Sequence, residues 1–366
     1  MRIIFTSLFI LMSVIGLKAQ PCSIEALLKV PGIWKGPGLG SVHNVTPENL
    51  AKEKAVIGEI QKMISSVYQP YGVNCSYSYV FGYGVSGGKN WMADPYEYVI
   101  RFPDFTCNPK YNDISKKWIN PEPRASIWIT VNEIFRGGFQ LYAADLPDDS
   151  FVPFGQIDSW PEKRDGYWFR KIRDSGFERS GDRHYQCLIT YDNKLPFKVF
   201  TRRQYLEYKI PLMEKYLADF IKQSSEIDPN FDAASKRVFE SSQEQIKELR
   251  QKIQQVKLLL TAMSEAELEM GAIIIKEPDD EFSGFKKEGE PYAKILVVPD
   301  LSYYQRLPKW VPQFFCVDVG FDTRTEAYRT AVPAVEKTLN FSWFRKMLGS
   351  TTIIPAGKPG AEPIKQ

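Results

Sequence analysis

Histidine is scarce in this 366-residue chain: only His43 and His184 are present. A metal centre needing three imidazole ligands is therefore excluded, and any catalytic scheme has at most one imidazole per site. A dominant charge of one sign is lacking too. Forty-seven basic residues stand against 44 acidic ones, for a formal net charge of +3. The most basic-looking stretch, residues 160–183, holds seven basic and five acidic side chains, which makes no phosphate-binding stripe. Nucleic acid is not an expected partner. Past the first twenty residues, no apolar run approaches the ~20 residues that a membrane-spanning helix requires. Five cysteines cannot all pair within one chain.

What is present begins with an export signal. Arg2 precedes the run Ile3 to Leu17, and Ala19 supplies a small residue for cleavage, so residues 1–19 read as a signal peptide. Its removal takes Arg2 and Lys18 and lowers the charge to +1. The expected location is outside the cytoplasm, periplasmic or extracellular, where a disulfide is stable. Cys75 and Cys107 border neighbouring strand candidates and are the expected pair.

The mature chain reads as α+β. Residues 20–200 form a mainly antiparallel sheet domain, with a helix predicted over 47–68. Period-two alternation marks its strands. Cys75, Tyr77, Tyr79, Phe81 and Tyr83 share one face, and so do Tyr96, Tyr98, Ile100 and Phe102. Ile127, Ile129 and Val131 repeat the pattern, as do Tyr185, Cys187, Ile189 and Tyr191. Shorter strands are expected near 139–143 and 167–173. Residues 201–270 form a long helical hairpin with coiled-coil-like spacing. Leu206, Ile210, Met213, Leu217 and Phe220 face Phe239, Ile246, Leu249, Ile253, Val256, Leu260 and Met263, and Pro211 is expected to kink the first helix. Residues 271–349 form a small C-terminal αβ unit, and 350–366 a disordered tail.

The signal ending LKAQ, the run LPFKVFTRRQYL and the run DLSYYQRLPKWVPQFF resemble uncharacterised secreted proteins of Bacteroidetes-type bacteria. The resemblance spans a small part of the chain. It implies a bacterial envelope setting and carries no activity.

The segment GYGVSGG, residues 82–88, fits two catalytic patterns. A dinucleotide loop needs a following helix, and Asp94-Pro95 breaks one early. A nucleophile elbow would place Ser86 between Gly84 and Gly88, with His184 as its base. That serine-type hydrolase is one alternative function. His184 and Cys187 stand three apart on a strand, hence on opposite faces, and cannot share a metal. No metal or cofactor is expected. Trp128, Trp160, Tyr167 and Trp168 sit among polar residues, and aromatic rings flanked by hydrogen-bonding groups suit sugars or peptides. The leading expectation is an exported, non-catalytic envelope protein that binds a protein or glycan through these residues. A structural role in envelope assembly through the heptad helices is the other alternative.

Overall fold

A computed structural model of the chain describes residues 20–38, 40–82, 93–133, 155–171, 182–275 and 281–357. It opens with α1 (Ile24–Leu28), β1 (Trp34–Lys35), β2 (Ser41–Val42) and α2 (Pro47–Ser65). Next come β3 (Cys75–Phe81), β4 (Tyr96–Arg101), β5 (Phe105–Thr106), β6 (Trp118–Ile119) and β7 (Ala125–Val131). Beyond them lie β8 (Gly155–Ile157), β9 (Glu162–Arg164), β10 (Tyr167–Lys171), β11 (Asp182–Thr190) and β12 (Phe197–Val199). Helices α3 (Arg202–Ser225), α4 (Ala233–Ala262) and α5 (Glu265–Leu268) precede β13 (Ile273–Ile274), β14 (Lys294–Pro299) and β15 (Phe314–Asp322). The chain then forms α6 (Glu326–Glu336) and α7 (Phe341–Met347).

The fold is α+β, with a large, mostly antiparallel sheet, a long helical pair and a small C-terminal strand–helix unit. The large sheet runs β1-β3-β4-β7-β15-β11-β10-β9, with β2 also on β3. Among the described residues, only the β1–β3 and β2–β3 pairings are parallel. A second sheet has β14 at its centre, paired with β8, β12 and β13.

Four layers result. Helices α2, α6 and α7 cover one face of the large sheet, burying Ile60, Tyr98, Ile129, Val317, Val332 and Phe344 in a common core. The second sheet lies on part of the other face, where Leu188, Phe314 and Cys316 meet Ile295 and Val297. Because strand side chains alternate, Leu296 and Val298 point the opposite way, onto Tyr205, Tyr208 and Leu212 of α3. The hairpin's own seam forms the last layer.

That seam is closed within the monomer. Leu206 and Met213 are fully buried against Leu249, Ile253 and Val256. Thr201 and Gln204 form the reciprocal cap that their spacing predicts, and Asp232 caps α4. Ser242, the polar break in the stripe, meets Ser224 across the seam at 2.5 Å. Pro211 lies within α3, which remains one helix from Arg202 to Ser225.

Two expectations are corrected. The disulfide joins Cys22 to Cys107, whereas Cys75, Cys187 and Cys316 are free and buried. Cys75 starts the apolar alternation of β3 and points under the helices, away from Cys107. The segment carrying Cys22 runs beside 107–114, where the Ile114 amide donates to the Gln20 carbonyl at 3.0 Å. Residues 350–357, assigned to the tail, are held against the core instead. The Trp343 indole donates to the Ile354 carbonyl at 2.8 Å, and the Ala356 amide donates to Glu59 at 2.8 Å. The strand expected near 139–143 lies outside the described residues, as does the segment with Ser86. Among the described residues, no helix is long and apolar enough to cross a membrane.

Candidate functional site

The face of the large sheet opposite the helices is built from the alternate positions of the same strands, and register sets its rows. In one row Arg101 pairs with Ser126, Ser126 with Gly320, and Gly320 with His184. In the next, Val99, Trp128, Asp318, Gln186 and Arg170 follow one another across β4, β7, β15, β11 and β10. The first row is half-buried along the sheet's margin, while the second is buried. The alternation correctly puts His184 with Gln186 and Thr190, but this face is largely covered: Gln186 and Thr190 are buried.

A hydrogen-bonded chain crosses the second row. The His184 Nε2 lies 2.9 Å from Asp318 Oδ1. Gln186 Nε2 donates to Asp318 Oδ2 at 2.8 Å, and Arg170 Nη2 donates to Gln186 Oε1 at 2.5 Å. Each residue orients the next, so the imidazole, 30% exposed, is held by a carboxylate that is itself held. Burial pushes the Arg170 pKa down, countered by the charges of Asp158 and Asp318. Burial, reinforced by Asp318, pushes the Cys316 thiol far up, so it stays protonated and unreactive.

Trp128 organises the other end. Its indole donates to Ser126 Oγ at 3.0 Å, and the Arg101 guanidinium lies over its ring, 5.5 Å from the centroid. Arg101 Nη1 also donates to Ser78 Oγ at 3.1 Å. Further along this margin Arg324 grips Asp322 through Nε and Nη2, at 2.8 and 2.6 Å, with Arg124 at 4.0 Å. The Arg324 hydrogen bond and these charges hold Asp322 down at about 2.

The other aromatic candidates lie elsewhere. Tyr167 is on the helix side of β10, edge-on to Phe341 at 5.2 Å with Arg345 over its ring. Trp168, on the next residue and the opposite face, donates to the Asn193 carbonyl at 2.9 Å. Trp160 packs edge-on to Phe197 at 5.6 Å. Trp160 and Trp168 thus share the inter-sheet core, and Trp128 lies three strands, roughly 14 Å, from Trp168. The four do not make one exposed platform. Ser86 lies outside the described residues.

A second polar cluster lies on the helix side. Glu53 of α2 is fully buried facing Asp94, whose carboxylate accepts from Asn49 Nδ2 at 2.9 Å. Desolvation first, then the Asp94 charge, raises Glu53 to about 8, so it is protonated at neutral pH.

Sequence reasoning missed Asp318 and Arg101. The signal for Asp318 was legible: it is the one carboxylate inside the apolar run FFCVDVGF. Its pairing to His184, 134 residues away, was not. No family model, curated protein or solved structure matches the chain.

Proposed function

We propose that the chain is an exported binding protein that receives a glycan or protein partner along the polar margin of the large sheet. The supporting observation is the ordering of Arg101 and Ser126 by Trp128. An indole that fixes a guanidinium and a hydroxyl at a half-buried margin presents groups whose geometry is set before the ligand arrives. In this reading Trp128 is a support for binding groups, since Arg101 takes one face of its ring. The heptad side chains of the hairpin are covered within the chain, which favours the sheet margin over the hairpin as the docking surface. The Cys22–Cys107 bond suits an oxidising compartment.

The test is a glycan array and an envelope-extract pull-down with residues 20–366. Trp128→Phe keeps an aromatic ring but removes the donor to Ser126, and His184→Ala alters the other end of the row. Loss of captured ligand in either variant is expected. Retention in both, with loss on changing the hairpin surface, would place binding elsewhere.

The His184–Asp318 pair favours a second reading, a hydrolase in which His184 is the general base and Ser86 the nucleophile. A base oriented by a buried carboxylate is the arrangement such chemistry uses. Turnover of an activated ester that disappears in both Ser86→Ala and His184→Ala would support it. Absence of turnover in the parent chain would rule it out.

A further inference from the structure

Arg101 stands in a row that runs from Lys35 through Ser76, Arg101, Ser126 and Gly320 to His184. Its neighbours across the strands are Ser76, Ser126 and Gly320, all half-buried and all neutral. Among the described residues it forms no salt bridge, and its contacts are the Ser78 hydroxyl and the Trp128 ring. A guanidinium has five N–H donors, and Ser78 accepts from one nitrogen, so the rest of the fork is available to a ligand. The Ser126 hydroxyl accepts the indole N–H, which leaves its own hydrogen to donate outward.

The surroundings reinforce the sign. Lys35, the register partner of Ser76, adds an exposed cation beyond it, while Arg124 and Arg324 both reach the Asp322 carboxylate further along the margin. A planar fork flanked by hydroxyls fits a planar carboxylate flanked by hydroxyls.

We propose that the ligand of this row is an acidic saccharide, with its ring carboxylate on the Arg101 guanidinium and its hydroxyls on Ser76 and Ser126. The inference rests on the binding reading above and names its ligand class. From Arg101 to His184 the row spans three strand spacings, roughly 14 Å, enough for more than one sugar ring.

Isothermal titration of residues 20–366 with digalacturonate, lactose and inorganic phosphate tests it. Digalacturonate should bind and lactose should not, and added salt should weaken the binding. Arg101→Gln should weaken it about tenfold or more, the scale expected for losing a charged hydrogen-bond pair. Ser126→Ala should weaken it less. Should Arg101→Gln melt early, Arg101→Lys, which keeps the charge and loses the fork, must still weaken binding. Equal binding of lactose, or an affinity unchanged in Arg101→Lys and Arg101→Gln, overturns the proposal. So does phosphate binding as tight as digalacturonate, which would make the row a simple anion site. Array hits confined to neutral glycans and sensitive to Trp128→Phe would leave the binding reading standing and remove this one. No ligand at all on the array or in the pull-down would remove both.

Discussion

Helix α2 carries Glu53 into the core, where its carboxyl faces Asp94. Around the pair stand Asn49 on the same helix, Lys309, whose charge acts on Asp94, and the Tyr96 hydroxyl, which donates to the Trp310 carbonyl. The folded-state pKa of Glu53 is raised to about 8, from an ordinary 4.5 in the unfolded chain. The folded chain therefore binds the extra proton between those values. The stability this confers is complete below about pH 4.5 and is lost as pH rises through 8. The span corresponds to about 3–5 kcal/mol. Melting temperatures of the parent chain should fall across that window relative to Glu53→Gln, which stays neutral throughout. Parallel curves for the two proteins would contradict this. A buried glutamate in a helix is visible from periodicity, since Val56, Ile57 and Ile60 share its face. Its partner Asp94 comes from another element, so the shift itself was not legible.

At the scale of elements the hairpin gives the cleanest contrast. Ile253 is 4% exposed in the α3–α4 seam, while Leu258, five residues on, is 65% exposed. Ile253→Ala should cost about 2–4 kcal/mol by transfer and cavity terms, and Leu258→Ala at most about 0.5. Chemical denaturation compares them; equal effects would mean that the seam is not closed in solution. The heptad spacing alone predicted that these stripes meet. It could not say that the other side of α3 would carry Tyr205, Tyr208 and Leu212 onto a second sheet. Strands show the same division. Alternation in β4, β7 and β11 identified the residues that face the helices, yet the polar positions of those strands looked solvent-facing. Part of that face is covered by the second sheet, because β14 is apolar on both faces and brings Ile295 and Val297 onto Leu188, Phe314 and Cys316.

Across the whole molecule, the Cys22–Cys107 bond ties the N-terminal segment to the sheet over 85 residues of sequence. In the chain-entropy model a loop of that length is worth about 4–5 kcal/mol. Cys22→Ser with Cys107→Ser should lower the melting temperature, and reductant should lower that of the parent chain but not of the double variant. The native chain should show no thiol reactive to a polar reagent, because Cys75, Cys187 and Cys316 are buried, and three should appear on unfolding. Five reactive thiols on non-reducing unfolding would disprove the bond.

The sequence by itself determined the periodic elements: which residues of each strand and helix turn inward, where Thr201 begins a helix, and that the fold is α+β. These follow from spacing along one stretch of chain, which local sterics and side-chain alternation translate directly into a face. The tertiary structure alone decided which faces meet. Strand β15 enters between β7 and β11, and that pairing sets Asp318 beside His184 and Gly320 between His184 and Ser126. Such juxtapositions depend on contacts between residues more than a hundred positions apart, and no local pattern encodes their register.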